Sequence, residues 1–271
     1  MPDVLPPAWI KTALSVTGSF EDSADPLGAV SGDFDGMGIS LGVLQWNIGS
    51  GSLQPLIKAI GRAAIVGTMP HYGIDLWNAC NAPISSGLSI VRAWQNGATL
   101  KPAVMGELKL LTHSDAFVTE EIATAEHTAS IAFDHAQAYA ASVTAGATAS
   151  LDLFCWFFDV YTQNGGLGTL SFADVQQFTA ANGQAKVDDV ICDWLAARTV
   201  ADSGYRDSLK NAKLWRGTVL DAATNLFVLS YLRSLQARHQ YRADVLNRKA
   251  TIAIGEGWVH GEYHDLQNLL S

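Results

Sequence analysis

Helical spacing of apolar residues dominates the chain from about residue 86 to its C-terminal end. The segments AFVTEEIATAEHTASIAFDHAQAYAASV, LDLFCWFFDVYTQ and VDDVICDWLAART place apolar residues every three or four positions, which is typical of amphipathic helices. The stretch EDSADPLGAVSGDFDGMG, by contrast, is rich in Gly and Asp and cannot form a regular helix. The sequence therefore predicts a mainly α fold with a small β element near residues 28 to 46.

Local signals locate the other helices and breaks. The first helix is expected to begin near Pro7 and to end near Gly18 to Glu21. LQPLIKAIGRAAI predicts one helix that starts around Ser52, and VRAWQNG also follows a helical pattern. One or two long helices are expected between about 215 and 255, with an earlier break at NGGLG (164–168).

Composition limits the class of protein. A chain of 271 residues fits one large domain or two closely packed lobes, and 48% hydrophobic against 16% charged residues allows a sizeable core. The net charge of −9 argues against a nucleic-acid partner, because such proteins normally present a basic face. No run of 18 or more apolar residues occurs, so no membrane span is expected.

The three cysteines predict no disulfide framework. Cys80, Cys155 and Cys192 form an odd set without paired spacing. Cys155 lies within the apolar run LDLFCWFFDV, which predicts a buried core thiol.

Two carboxyl groups near the N-terminus have surroundings of opposite character. Glu21 follows the apolar Phe20 at a predicted helix end, where the negative end of the helix dipole and partial burial both favour a carboxyl that keeps its proton. Asp35 lies in the Gly-bounded turn D-G-M-G, which should leave its side chain solvated. Glycoside hydrolysis uses such a pair, one protonated and one ionised.

The motif around this pair resembles a known active-site signature. Glu21 followed by GDFDGMGISLGVLQW (32–46) is similar to the signature of the lysozyme-like superfamily, above all to the chitosanase branch and its peptidoglycan-cleaving relatives. The resemblance implies that Glu21 is the general acid, Asp35 the general base, and Ser40 the residue that orients the attacking water. The interval from Glu to Asp is shorter than in chitosanases, so Asp33 is an alternative to Asp35.

Neighbouring polar and aromatic residues are candidates for sugar contacts. GVLQWN resembles the G-[LI]-[LM]-Q segment that lines the sugar cleft of goose-type lysozymes and lytic transglycosylases, which implicates Gln45, Trp46 and Asn47. Core packing is the alternative for Trp46. Gln163 and Asn164 are candidates from a second lobe, and ordinary C-capping is their alternative.

Two later segments extend the resemblance over the chain. FFDVYTQNGG (157–166) and NRKATIAIGEGWVHGEYHDL (247–266) are similar to the core helix and the C-terminal segment of this branch. The implied fold is α+β lysozyme-like, with two helical lobes and a small β element beside the cleft. One catalytic domain is expected over 1–271, with the small, motif-bearing lobe at about 20–85.

Motifs for other chemistries fail on spacing. HGEYH (260–264) has its Glu two residues after the first His, whereas zincins need H-E-x-x-H on a helix. The D-x-D-G of residues 33–36 lacks the later ligands of a calcium loop. No nucleophile elbow G-x-S-x-G occurs either, so neither a metal nor a cofactor is expected.

The identity of the polymer depends on two opposing arguments. A net charge of −9 favours cationic chitosan over peptidoglycan. GVLQWN and the segment G-W-V-H-G, however, resemble lysozyme-like toxins that bacteria inject into competitors, and local contacts rather than net charge fix specificity. The sequence thus predicts a muramidase acting on peptidoglycan, with a chitosanase or a non-catalytic glycan-binding module as alternatives. Whether the bond is hydrolysed or transglycosylated stays open.

The start of the sequence bears on export. MPDVLPPAWIKTAL has no basic segment followed by an apolar core, so no Sec-type signal is expected. The resemblance to injected toxins implies export by a dedicated secretion system, with action in the periplasm or cell wall. It also implies a delivery component and an immunity protein as partners.

Overall fold

Helices make up most of the chain in the computed structural model, which describes residues 4–21, 25–219 and 221–270. In chain order they are α1 (Pro7–Ser19), α2 (Leu53–Ile60), α3 (Arg62–Thr68), α4 (Gly73–Asn81), α5 (Ile84–Arg92), α6 (Pro102–Thr112), α7 (Asp115–Val143), α8 (Leu151–Asn164), α9 (Phe172–Asn182), α10 (Val187–Ala196), α11 (Tyr205–Trp215), α12 (Asp221–Leu235), α13 (Arg242–Ile254) and α14 (Gln267–Leu270). The strands are β1 (Val30–Ser31), β2 (Ser40–Leu41), β3 (Trp46–Asn47), β4 (Gln95–Asn96), β5 (Thr99–Leu100), β6 (Glu256–Val259) and β7 (Glu262–Asp265). The predicted mainly α class is confirmed.

The chain divides into two compact units. Thr17–His127 forms the first, here called the motif unit, and Met1–Val16 together with Thr128–Ser271 forms the second, here called the helical unit. The division falls within α1 and within α7. The unit that carries the motif therefore extends well beyond the predicted lobe of about 20–85.

A three-stranded antiparallel sheet holds the central part of the motif. β2 lies between β1 and β3, with Ser40 opposite both Ser31 and Asn47, and Leu41 opposite Trp46. This sheet confirms the small β element predicted near residues 28 to 46.

Two helix predictions in the motif unit are wrong in detail. The segment LQPLIKAIGRAAI forms two helices instead of one, because Gly61 between α2 and α3 has φ +85 and ψ 149 and cannot continue a helix. The helical pattern of VRAWQNG also fails at its end: α5 stops at Arg92, and Gln95–Asn96 pairs with Thr99–Leu100 in the hairpin β4–β5.

The core of the motif unit is aliphatic, with a few aromatic rings. Leu41 of β2 and Ile39, which precedes that strand, belong to one buried cluster with Leu56 of α2, Leu108 of α6 and Phe117 of α7, and all five are fully buried. The sheet is thereby attached on its inner side to helices that come from both halves of the unit.

Aromatic packing dominates the helical unit. Phe154 and Trp156 of α8 are fully buried, and the Trp156 indole N–H donates to Oγ of Ser230 on α12 at 2.9 Å. Trp9 of α1 lies against the Phe154 ring, with centroids 5.8 Å apart. Cys155 is fully buried, which confirms the predicted core thiol.

A buried ion cluster connects α8 to α13. Arg248 donates from Nη2 to Oδ1 of Asp159 at 2.8 Å, and Lys249 bonds the same carboxylate and donates to the Asp159 carbonyl at 3.0 Å. Burial opposes ionisation of Asp159, but the two cations outweigh it and hold its pKa well below the ordinary range. Removing one member would leave a buried charge uncompensated, which typically costs about 3–5 kcal/mol.

The C-terminal part of the helical unit contains a hairpin, which is followed by the short helix α14. The pattern between about 215 and 255 forms two long helices, α12 and α13, as one of the two predicted possibilities had it. HGEYH then lies in the turn and second strand of the hairpin β6–β7, not on a helix. Over the described ranges, none of the helices combines the length and the apolarity that crossing a bilayer requires.

Candidate active site

Asp33 fixes the turn that carries the D-G-M-G sequence of the motif. Its Oδ2 accepts from Nε of Arg92 at 2.6 Å, and its Oδ1 accepts from the Gly38 amide at 2.7 Å. Arg92 also donates from Nη2 to the Gly36 carbonyl at 3.0 Å. The hydrogen bond from Arg92 lowers the pKa of Asp33. Both oxygens of Asp33 are therefore engaged in holding the turn, which disfavours its alternative role as the catalytic base.

Gln95 attaches the same turn from a second side. Its Oε1 accepts from the Asp33 amide at 2.8 Å, and its Nε2 donates to the carbonyls of Gly38 at 3.0 Å and Val91 at 3.2 Å. Gln95 is buried, so these bonds are shielded from competing water. The backbone of residues 33–38 is thus fixed to the end of α5 and the start of β4.

Asp35 is the exposed carboxylate of this fixed turn. Its Oδ1 accepts from the Met37 amide at 3.0 Å, and the residue is open to solvent, in agreement with the solvated turn that the sequence predicts. Phe34, the preceding residue, is 72% exposed. An exposed ring beside an exposed carboxylate is an arrangement suited to stacking on a sugar.

Glu21 lies in the turn that follows α1. Its amide donates to the Gly18 carbonyl at 2.9 Å, and Gly18 packs against the backbone of Pro26 and the side chain of Val43. The segment that carries Glu21 is therefore attached to the turn after β2. Glu21 itself is exposed, so the predicted partial burial of this residue is wrong.

Gln45 has a strained backbone in the turn between β2 and β3. Its φ of 55 is positive, although it is not a glycine. Its Oε1 accepts from Oγ of Ser31 at 3.2 Å, and its Nε2 donates to the Gly42 carbonyl at 3.3 Å. The half-buried amide is thereby oriented by neighbours on both sides, which is consistent with its predicted role as a sugar-contacting group.

Asn47 and Ser40 face each other across β2 and β3. The Asn47 side chain donates to the Gln45 carbonyl at 3.2 Å and accepts from the Ser50 amide at 2.8 Å, so it also shapes the following loop. Ser40 is only 3% exposed, which restricts its predicted contact with an attacking water to the small accessible edge of the residue.

Trp46 belongs to the core of the motif unit. It is 7% exposed and lies in one buried cluster with Ile39 and Leu41. This burial favours core packing, the alternative that the sequence left open, over stacking on a sugar.

Gln163 and Asn164 lie in the helical unit, at the last turn of α8. Gln163 is exposed, while the Asn164 carbonyl accepts from Nη2 of Arg233 at 2.8 Å. Gly165 follows in the left-handed conformation and ends the helix. The local structure matches the C-capping alternative. Their sugar-binding role stays a prediction.

Glu121 is a buried carboxyl of the motif unit that sequence reasoning missed. It lies on α7, is fully buried, and accepts from the Val43 amide through Oε1 at 2.8 Å. Burial raises its pKa to about 7. The signal was present in the sequence, since Glu121 is in line with the buried Phe117, Ala125 and Ala129 at intervals of four residues.

Arg92 and Gln95 were also missed, and no sequence signal identifies them. They lie 59 and 62 residues from Asp33 along the chain, and only the folded structure brings them to the turn.

In the part of the chain that the structure describes, no three His, Cys, Asp or Glu side chains cluster so that they could hold a metal ion.

Comparison with known proteins does not assign the chain to a family. Comparison with protein-family models, with curated proteins and with solved structures finds no match to this chain. The likeness to the lysozyme-like superfamily therefore depends on the sequence resemblance alone, and its consequences are proposals.

Proposed function

We propose that the protein is a glycoside hydrolase of the muramidase type, which cuts β-1,4 bonds in the glycan strands of peptidoglycan. The observation that carries this proposal is that the two Asp residues of the D-x-D-G turn have different surroundings. Asp33 is engaged by Arg92 and Gly38, whereas Asp35 remains exposed on the backbone that they hold. A catalytic carboxylate needs both a fixed position and access to substrate.

The proposed chemistry assigns one proton transfer to each carboxyl. Glu21 in its protonated form donates to the glycosidic oxygen as the bond to the anomeric carbon breaks. Asp35 accepts a proton from the water that attacks the anomeric carbon from the opposite face, and Ser40 orients that water. Glu21 ends ionised and Asp35 protonated, and exchange with solvent restores both. If the water fits between them, the carboxyl groups are roughly 6.5 to 9.5 Å apart and the configuration inverts.

Substrate contacts are assigned to polar and aromatic residues of the motif. The amides of Gln45 and Asn47 are suited to the hydroxyl and N-acetyl groups of an aminosugar. The exposed ring of Phe34 is suited to the apolar face of a pyranose.

Chitosan is a second candidate substrate, favoured by the distribution of charge. The motif unit has eleven Asp and Glu residues against five Lys and Arg, so it carries most of the net charge of −9. A cationic polymer would be attracted to this unit, whereas an anionic one would be repelled. Peptidoglycan remains the preferred substrate because of the resemblance of GVLQWN and GWVHG to cell-wall enzymes.

The biological setting is inferred from the same resemblance. We infer an antibacterial effector or a cell-wall lytic enzyme, exported by a dedicated secretion system and acting on the wall of another cell. Such a toxin requires an immunity protein in its producer, and that protein would be a second partner besides the glycan.

Digestion of isolated sacculi tests the proposal. Purified protein is expected to release muropeptides, and mass spectrometry of the products identifies the bond cut. An anhydro-sugar product would indicate transglycosylation instead of hydrolysis. Release from chitosan with none from sacculi would reverse the order of the substrates, and binding without release from either would support the non-catalytic module.

The configuration of the new reducing end tests the assignment of Asp35 as a base. NMR spectra recorded immediately after cleavage of a β-linked oligosaccharide should contain the α-anomer first. A β-anomer formed first would indicate retention and a nucleophilic carboxylate, with the two carboxyl groups roughly 5 Å apart.

A further inference from the structure

Glu121 is a fully buried carboxyl that the proposed chemistry does not use. Its Oε1 accepts from the Val43 amide at 2.8 Å. Its Oε2 is buried as well, and it has no hydrogen-bond partner among the residues that the structure describes. A buried carboxyl with one bonded and one unbonded oxygen costs stability, so its presence requires a reason.

The surroundings of Glu121 favour the neutral acid. Burial raises its pKa to about 7, and the hydrogen bond from Val43 opposes this rise only in part. The turn Gly42–Trp46, which lies against it, has no titratable side chain, and neither do Phe117 and Ala125 on the same face of α7. In the neutral form Oε1 is the carbonyl oxygen, which accepts from Val43, and Oε2 holds the proton.

The turn after β2 is shaped around this carboxyl. Gly42 has φ +74, and a Cβ at this position would overlap Oε1 of Glu121 and come within 2.9 Å of the Trp46 ring. The Glu121 carboxyl thus occupies the space that a side chain at position 42 would need. Gly42 and Glu121 are therefore matched to each other although they lie far apart in the sequence.

The hydrogen bond from the Val43 amide to Glu121 is coupled to Gln45 through the turn after β2. The Gly42 carbonyl accepts from the Gln45 amide at 3.1 Å and from its Nε2 at 3.3 Å. A shift of the peptide between Gly42 and Val43 would therefore move both the backbone and the side chain of Gln45. Val43 also packs against Gly18, in the segment that leads to Glu21.

We propose that Glu121 is a positioning residue for the turn Gly42–Asn47, holding it through the Val43 amide so that Gln45 is set for sugar binding. Its effect on sugar binding rests on the proposed function, whereas its effect on the turn does not. Glu121 touches no reacting atom, because it is fully buried.

The Val43 amide gives a readout that needs no enzymatic activity. In ¹H–¹⁵N spectra of the full chain, the Val43 amide resonance should titrate with a midpoint near pH 7, following the carboxyl to which it donates. In Glu121→Gln the amide oxygen replaces the carbonyl oxygen as acceptor, so the Val43 resonance should stay close to its low-pH position at every pH. The inference would be overturned if the Val43 resonance is independent of pH in the wild type. It would also be overturned if the resonance still titrates in Glu121→Gln.

Activity on sacculi tests the consequence for the glycan. Glu121→Gln should retain kcat/KM within about threefold, because it keeps the acceptor for Val43. Glu121→Leu removes the acceptor and should lower kcat/KM by roughly 10- to 100-fold, with a rise in KM, because Gln45 is displaced. Glu126→Leu, at an exposed position on the same helix, is the matched control and should behave like the wild type.

Failure of the inference differs from failure of the proposed function. If the wild type releases nothing from any glycan while Val43 still titrates with Glu121, the function is wrong and the positioning of the turn stands. If the wild type is active and folded Glu121→Leu is equally active, Glu121 does not position a sugar-binding group. If Glu121→Leu fails to fold, the Val43 titration in the wild type and in Glu121→Gln still tests whether Glu121 holds the turn.

Discussion

Replacing Glu121 by Gln should change how the stability of the protein depends on pH. Burial raises the pKa of this carboxyl from its ordinary 4.5 to about 7 in the folded state. Each unit of difference between the folded and unfolded states corresponds to about 1.4 kcal/mol, so the shift is equivalent to about 3 kcal/mol. The folded state binds the proton more tightly than the unfolded state. This contribution is therefore fully present below pH 4.5 and is lost as the pH rises through about 7.

Urea unfolding followed by circular dichroism measures this contribution. Between pH 4.5 and about pH 8, the free energy of unfolding of the wild type should fall by about 3 kcal/mol more than that of Glu121→Gln. Other titrating groups act equally in both proteins, so they cancel in the difference. Glu126→Gln, which removes an exposed carboxyl of the same helix, should follow the wild type. Parallel curves for the wild type and Glu121→Gln would refute the argument that Glu121 is buried as a neutral acid.

Three further substitutions test other parts of the account. Arg92→Ala should lower kcat/KM on sacculi roughly 10-fold by releasing the turn that carries Asp35, while Arg62→Ala, at an exposed position of the same unit, should have no effect. Equal activities of the two variants would contradict the role of Arg92 in holding this turn. Phe34→Ala should raise KM roughly fivefold with little change in kcat, since a stacking contact contributes about 1 kcal/mol, and an unchanged KM would exclude it. Gly61→Ala should lower Tm because it costs about 1–3 kcal/mol at φ +85, whereas Gly67→Ala inside α3 should raise it; shifts of the same sign would contradict the assigned backbone.

The fold was predictable where the apolar periodicity agrees with the residues that begin or end helices. Long amphipathic runs such as that of α7 are recognised as helices from their periodicity alone. The proline at position 7 marks where α1 begins, and the glycine at position 165 marks where α8 ends. The break at Gly61 was missed because a single glycine within a helical pattern is compatible with either outcome. The hairpin β4–β5 was missed because strands of two residues are too short for any periodicity.

The candidate site was predictable only in its local part. The exposure of Asp35 follows from the glycines around it, a relation confined to a few residues. The exposure of Glu21 could not be derived in this way, because it depends on how the chain beyond α1 turns. Arg92 reaches Asp33 only through tertiary structure, whereas the sequence does show Glu121 as an acidic residue within an apolar stripe of α7.

Glu21 and Asp35 are proposed to perform the chemistry together. Steady-state kinetics on sacculi with Glu21→Gln and Asp35→Asn test it most directly, with Glu126→Gln and Asp75→Asn as controls at exposed positions of the same unit. Each of the first two variants is expected to lose kcat by roughly 10²- to 10⁴-fold, while both controls match the wild type. Turnover at the wild-type rate in either Glu21→Gln or Asp35→Asn would contradict it.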